Sequence, residues 1–167
     1  MARLIALGGL PGTGKSTVAR GLAAALRAAW LRVDTIEQAL RTEPLTADAA
    51  NGPAGYVIAY RIAADQLRVG IDVVADSVNP LGITREAWRA VAAEAGARLV
   101  EVEIVCSDAA EHRRRVATRT ADVAGLKLPD WEAVTARVYE AWEPAPLRID
   151  TASCSVDDAV TRIVAAA

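Results

Sequence analysis

Nine residues near the start of the chain constrain its fold more than any others: Gly9-Leu10-Pro11-Gly12-Thr13-Gly14-Lys15-Ser16-Thr17. Gly9, Gly14, Lys15 and Ser16 meet the pattern G-x-x-x-x-G-K-[ST]. Glycines let a backbone wrap a phosphate and aim its N–H groups inward. A following helix adds its positive N-terminal end. Such a loop needs a strand before it and a helix after it. Residues 3–8, Arg-Leu-Ile-Ala-Leu-Gly, form a short apolar run that suits a buried parallel strand. Residues 15–28 carry Ala and Leu at helical spacing. The context therefore predicts a nucleoside triphosphate site made by Gly9, Pro11, Gly12, Thr13, Gly14, Lys15, Ser16 and Thr17. Lys15 is expected on the β- and γ-phosphates, and the Ser16 hydroxyl on Mg²⁺.

Further segments alternate in the same way. Trp30 to Val33 reads as a strand ending at Asp34, followed by a helix over Thr35 to Arg41. Residues 43–55, with Pro44, Asn51, Gly52, Pro53 and Gly55, read as a loop. Tyr56 to Val69 is helical in pattern, and Ile71 to Ala75 is a strand ending at Asp76. Thr84 to Ala95 reads as a helix with Thr84 as N-cap. Leu99 to Cys106 alternates apolar residues with Glu101 and Glu103, as a half-exposed strand nearer the sheet edge would. Asp108 caps an arginine-rich helix, 120–128 is a loop, and Pro129 opens a helix running to about Trp142. Leu147 to Ile149 is the last strand, before Asp150-Thr151, and Ser155 or Asp157 opens the final helix.

This order predicts an α/β fold: a three-layer α/β/α arrangement around a five-stranded parallel sheet, with a short lid. The whole of 1–167 is expected to be one domain, with the lid at about 113–130 and an acceptor region at about 35–60. Ligands of such sheets bind at the carboxyl ends of the strands. Asp34, Asp76 and Asp150 are expected to converge there with the glycine loop.

Each polar candidate has more than one reading. Asp76 either holds Mg²⁺, directly or through water, or serves as a turn or N-cap carboxylate. Asp34 either accepts the proton of an acceptor hydroxyl, ligates the metal, or caps a helix. Arg41, two helical turns on, either holds a negative group on the acceptor or lies in solvent. Arg115 and Arg119, four residues apart, could offset charge on a transferring phosphoryl group. Tyr56 and Tyr60 share a helical face and either line the acceptor pocket or pack in the core. Trp30, Trp88, Trp131, Trp142 and His112 are read as packing or surface residues.

Composition narrows the partners. A 53% apolar, 24% charged chain is globular, and a net charge of −2 argues against a broad grip on nucleic acid. Cys106 and Cys154 lack metal-ligand spacing and read as reduced thiols of a cytoplasmic protein. No apolar run approaches the length of a membrane span.

The chain resembles the small P-loop kinases, a group that includes 5′-hydroxyl polynucleotide, adenylyl-sulfate, shikimate and gluconate kinases and chloramphenicol phosphotransferase. Its resemblance is strongest to the polynucleotide-kinase-like branch often labelled AAA family ATPase. Three stretches carry it: residues 9–17, the run Val73-Val74-Ala75-Asp76-Ser77 through Asn79-Pro80 to Trp88, and Glu111 to Arg119 with the loop after it. The resemblance implies an ATP-dependent kinase that passes the γ-phosphoryl group to a hydroxyl of a small-molecule acceptor. It implies lid arginines, Arg115 and Arg119, on the nucleotide phosphates, Asp34 as general base, and Thr151 beside the adenine ring. The polynucleotide kinases carry D-x-x-R, whereas Glu37 stands three residues after Asp34 here, which counts against a polynucleotide acceptor. A nucleotide-sugar acceptor keeps the same chemistry. A nucleotide-dependent switch is the alternative of another class. Its D-x-x-G, Asp122 to Gly125, falls in the lid loop, and no N-K-x-D follows.

Overall fold

The run Leu4-Ile5-Ala6-Leu7 is at most 1% exposed at every residue, which only a strand covered on both faces achieves. The computed structural model describes residues 1–43 and 52–167. The expected loop at Pro44 and Asn51, and that part of the expected acceptor region, lie outside the described residues. In chain order the elements are β1 (Arg3–Gly8), α1 (Lys15–Leu26), β2 (Ala29–Arg32), α2 (Val33–Thr42), α3 (Ala54–Arg68) and β3 (Val73–Asp76). There follow α4 (Gly82–Glu94), β4 (Arg98–Val105), α5 (Ala109–Thr118), α6 (Trp131–Thr135), β5 (Leu147–Asp150) and α7 (Val156–Ala166).

The strands form one five-stranded sheet in the order β2-β3-β1-β4-β5, and every neighbouring pair is parallel. Leu4 and Ala6 of β1 face one core with Val33, Ala63, Leu67 and Trp88, supplied by α2, α3 and α4. Ile5 and Leu7 face the other with Val18, Leu22, Ala159 and Ile163, supplied by α1 and α7. The strand period of two thus sorts one apolar run into two cores. Each fully buried Leu or Ile contributes about 1.5–3 kcal/mol of transfer free energy. The α/β/α arrangement around a five-stranded parallel sheet is the one the sequence predicts. No helix among the described residues is long and apolar enough to cross a membrane.

Three local expectations are corrected. β2 ends at Arg32, so Asp34 lies in the first turn of α2 rather than at a strand end. The helix begins earlier because Val33, 2% exposed, turns into the core. α4 starts at Gly82 with Leu81 at its N-cap; the Thr84 hydroxyl instead donates back to the Leu81 carbonyl at 2.8 Å. As expected, β4 lies one strand in from an edge, between β1 and β5, and alternates buried with half-buried residues. Its carboxylates are met by Arg89, 3.1 Å from Glu101, and Arg148, 3.6 Å from Glu103.

The third is α6, which stops at Thr135 instead of reaching Trp142. The backbone beyond it bonds across the molecule. Arg85 of α4 donates to the carbonyls of Glu140 and Ala141, both at 2.7 Å, and the Glu140 N–H donates to Pro80 O at 2.8 Å. Carbonyls and N–H groups engaged this way are lost to a helix ladder. The docked segment also brings Trp142 onto Gly8, where any Cβ would collide with the indole ring.

Candidate functional site

The phosphate-type loop joins β1 to α1 through three glycines at positive φ: Gly9 at 147°, Gly12 at 87° and Gly14 at 89°. L-residues with side chains rarely adopt these values, which explains the glycine spacing. The loop is tied down on several sides. The Gly9 N–H donates to Val78 O at 3.0 Å, and the Thr13 hydroxyl donates to Leu10 O at 2.9 Å. His112 of α5 donates from Nε2 to Pro11 O at 2.9 Å, while its ring stands edge-on to Trp131 at 5.1 Å.

Lys15, 7% exposed, sits in the first turn of α1, and its Nζ donates to Asp76 Oδ1 at 2.6 Å. Asp76 lies directly across from Leu7 in the β1–β3 register, so the sheet itself aims the carboxylate at the loop. Its second oxygen accepts from Trp30 Nε1 at 3.3 Å and lies 4.0 Å from Arg32 Nε.

In front of the loop lies a cavity of about 670 Å³. Lys15, Ser16, Thr17, Pro11, Gly12 and Gly14 line one side of it. Asp34, Glu37, Gln38 and Arg41 of α2 line it with Tyr56 of α3. Glu37 is paired with Arg41 at 3.1 Å and lies against Gly55, whose missing side chain leaves room for it. Arg115, Arg119 and the segment Asp122 to Pro129 supply further lining.

The two arginines are held differently. Arg115 Nε donates to Glu111 Oε1 at 2.7 Å, and its Nη1 and Nη2 donate to Thr151 Oγ1 and O at 2.8 and 3.1 Å. The Thr151 hydroxyl passes the connection to Thr13 O at 2.7 Å, so Arg115 is wired to the loop. Hydrogen bonds from Arg114 and then Arg115 pull the Glu111 carboxyl down to about 2. Arg119 is the C-cap of α5, beyond its last helical residue, and among the described residues its side chain donates to Pro129 O alone, at 3.1 Å. Burial lowers its guanidinium pKa, against the opposing pull of the Asp34 charge.

The structure places the candidate residues as follows. Gly9 and Thr13 lie within the loop but behind the cavity wall, Asp76 lies beneath Lys15, and Thr151 lies behind Arg115. Tyr60 is not part of the lining: its hydroxyl donates to Thr84 O at 3.2 Å and its ring meets Trp88 edge-on at 4.5 Å. Tyr56 lines the cavity, and its oxygen accepts from the Asn79 N–H at 3.0 Å. Burial, the largest cause, raises its pKa. Asp150 does not converge on the cavity. Its carboxylate accepts from the N–H groups of Ser107 and Ala152, both at 3.0 Å, and so caps a turn.

The lining residues that were not singled out from the sequence include Arg32, Gln38, Lys127 and Arg137. The anchoring role of His112 was not singled out either. For Arg32 a signal existed, since it is a charge at the end of a short apolar strand, the rule that singled out Asp76. No signal of that kind marks Lys127 or Arg137.

Residues 4–141 match the family model described as AAA domain. No curated protein matches the sequence. Among solved structures, a presumed kinase of Chloroflexus aurantiacus is similar, with 20% identity, a TM-score of 0.73, and 98% of this chain and 97% of that one covered. The Mycobacterium tuberculosis APS kinase in complex with AMPPNP and APS is 21% identical, with a TM-score of 0.66 and coverage of 98% and 96%. A gluconokinase of Sinorhizobium meliloti 1021 is 16% identical, with a TM-score of 0.66 and coverage of 96% and 89%. At these identities the likeness carries the fold of the small P-loop kinases.

Proposed function

The chain belongs to the AAA domain family, and on that premise we propose that it is an ATP-dependent phosphotransferase whose acceptor is a hydroxyl of a small molecule. The observation that carries the reading is a shared cavity. Lys15 and the loop face the same 670 Å³ space as Asp34, a carboxylate from a different element. A switch needs the first of these; a kinase needs both.

In the proposed reaction the loop N–H groups and Lys15 hold the triphosphate. The acceptor oxygen bonds to the γ-phosphorus, and the bond from that phosphorus to the β–γ bridging oxygen breaks, its electron pair leaving on ADP. The hydroxyl proton passes to the Asp34 carboxylate. Arg115 and Arg119 offset charge on the phosphate oxygens. Arg41, Glu37 and Tyr56 form the acceptor wall.

A Mg²⁺ ion fits the residues present. No group of three or more carboxylate, His or Cys ligands gathers among the described residues. A divalent ion here would therefore take few protein ligands, as Mg²⁺ does beside phosphates. Ser16 and Asp76 are the residues that would hold it, and it would neutralise charge on the β- and γ-phosphates.

Purified protein incubated with ATP, Mg²⁺ and a panel of hydroxyl metabolites tests the reading. We expect one class of compound to be phosphorylated, and Asp34→Asn to keep nucleotide binding while losing transfer. Transfer by Asp34→Asn at the wild-type rate would remove Asp34 as the base.

A further inference from the structure

We infer that Arg32 is a catalytic residue of this cavity, exchanging its partner Asp122 for the transferring phosphoryl group. The inference rests on the kinase reading and goes beyond it.

The position of Arg32 sets the argument. It ends β2, lines the cavity, and its side chain is 13% exposed. Its guanidinium is flanked by the two carboxylates that bracket the reaction. Nη2 is 4.0 Å from Asp34 Oδ2, and Nε is 4.0 Å from Asp76 Oδ2. Asp76 in turn holds Lys15 at 2.6 Å. A phosphoryl group moving from a nucleotide on Lys15 to an acceptor on Asp34 passes the face of Arg32.

The bonding of Arg32 is incomplete. A guanidinium has five N–H donors. Among the described residues Arg32 makes one hydrogen bond, from Nη1 to Asp122 Oδ2 at 2.8 Å, and its Nε is buried without a partner. Arg85, which has no carboxylate partner among the described residues, makes four hydrogen bonds to backbone carbonyls instead. Buried donors are normally satisfied, so an under-bonded arginine in a cavity wall is open to an anionic oxygen.

The one partner it has can leave. Asp122 is 59% exposed on the loop over the cavity, so its carboxylate returns to water at little cost. Arg32 is held from below, with its guanidinium carbon 5.9 Å from the Trp30 ring centre. The loop rests on the same wall a second time, where Gly125 approaches the Gln38 amide; a Cβ there would lie 2.9 Å from Nε2. In the transfer step already written, no atom is added or lost at Arg32. Its N–H groups turn from the Asp122 carboxylate to the equatorial oxygens of the γ-phosphoryl group, where charge shifts as the bond to ADP breaks.

The test measures binding and needs no known acceptor. Calorimetry compares Mg²⁺–AMPPNP with Mg²⁺–ADP plus aluminium fluoride, a mimic of the transferring group, in wild type, Arg32→Gln, Arg32→Lys and Asp122→Asn. We expect Arg32→Gln to weaken the mimic about a hundredfold while AMPPNP stays within about threefold. Arg32→Lys should recover part of the loss. Asp122→Asn, which frees the loop but keeps the guanidinium, should bind the mimic as well as wild type or better. An unchanged ratio of mimic to AMPPNP affinity in Arg32→Gln overturns the inference, as does an equal loss with Asp122→Asn. Wild-type protein that binds neither nucleotide would instead overturn the kinase reading itself.

Discussion

Lys15 Nζ and Asp76 Oδ1 meet at 2.6 Å with side chains 8% and 1% exposed, so the loop lysine is parked on a buried carboxylate before any phosphate arrives. Removing one member of such a pair leaves the other charged and unpaired in a low-dielectric site. That costs about 3–5 kcal/mol. Asp76→Ala should therefore lower Tm strongly in calorimetry. Saturating Mg²⁺–AMPPNP should restore part of the loss, because its phosphates give Lys15 a new partner. Lys15→Ala should also lose stability, but nucleotide should restore none of it. Recovery of both variants to the same extent would show that Lys15 does not hold the phosphates.

Which parts of this molecule are legible in its sequence follows from how local their causes are. The Leu4 to Leu7 run marks a strand covered on both faces by itself. The glycines of 9–17 announce their own positive φ values. By contrast, α6 looks about seven residues too long in sequence because the group that stops it, Arg85, is 55 residues away from Glu140. Arg32 and Asp122, 90 residues apart, become partners only when the loop after α5 lies over α2. Tyr56 and Tyr60 share a helical face, yet the neighbouring chain gives one the cavity and the other Trp88.

His112 anchors the loop without facing the cavity. It bonds Pro11 O at 2.9 Å, and its ring packs beside the position a Gly12 Cβ would take. A net hydrogen bond of this kind contributes about 1 kcal/mol, and the ring contact with Trp131 adds to it. His112→Ala should raise the KM for ATP by about fivefold to tenfold and leave kcat within about twofold. A large fall in kcat with an unchanged KM would give His112 a part in the chemistry instead.

Arg85 organises the floor beneath the loop. It is 1% exposed and among the described residues has no carboxylate partner; carbonyls of Asn79, Pro80, Glu140 and Ala141 surround it, with the Trp142 ring 4.3 Å from its guanidinium carbon. A lysine cannot reproduce that planar fork. Arg85→Lys should cost about 2–4 kcal/mol. It should also open the segment after α6 to limited proteolysis, since two of the four bonds end there. Wild-type resistance to trypsin in that segment would mean that Trp142 alone holds it on Gly8.

The Glu111 carboxyl, held at about 2 by Arg114 and Arg115, predicts how acid acts on α5. A depressed carboxyl contributes stability that is fully present above its unfolded value of about 4.5 and is lost as pH falls through about 2. The Tm difference between wild type and Glu111→Gln should therefore be constant from pH 8 down to about 4.5 and shrink toward pH 2. Because Glu111 lies at the surface, partly open to solvent, the difference should be small, and high salt should reduce it further. Glu111 also fixes Arg115 Nε at 2.7 Å, so Glu111→Gln should raise the KM for ATP by at most about fivefold. That rise should not vary between pH 6 and 8, where wild-type Glu111 is fully ionised. A rise that grew with falling pH across this range would place the carboxyl near its ordinary value and the Arg115 pair outside the working enzyme.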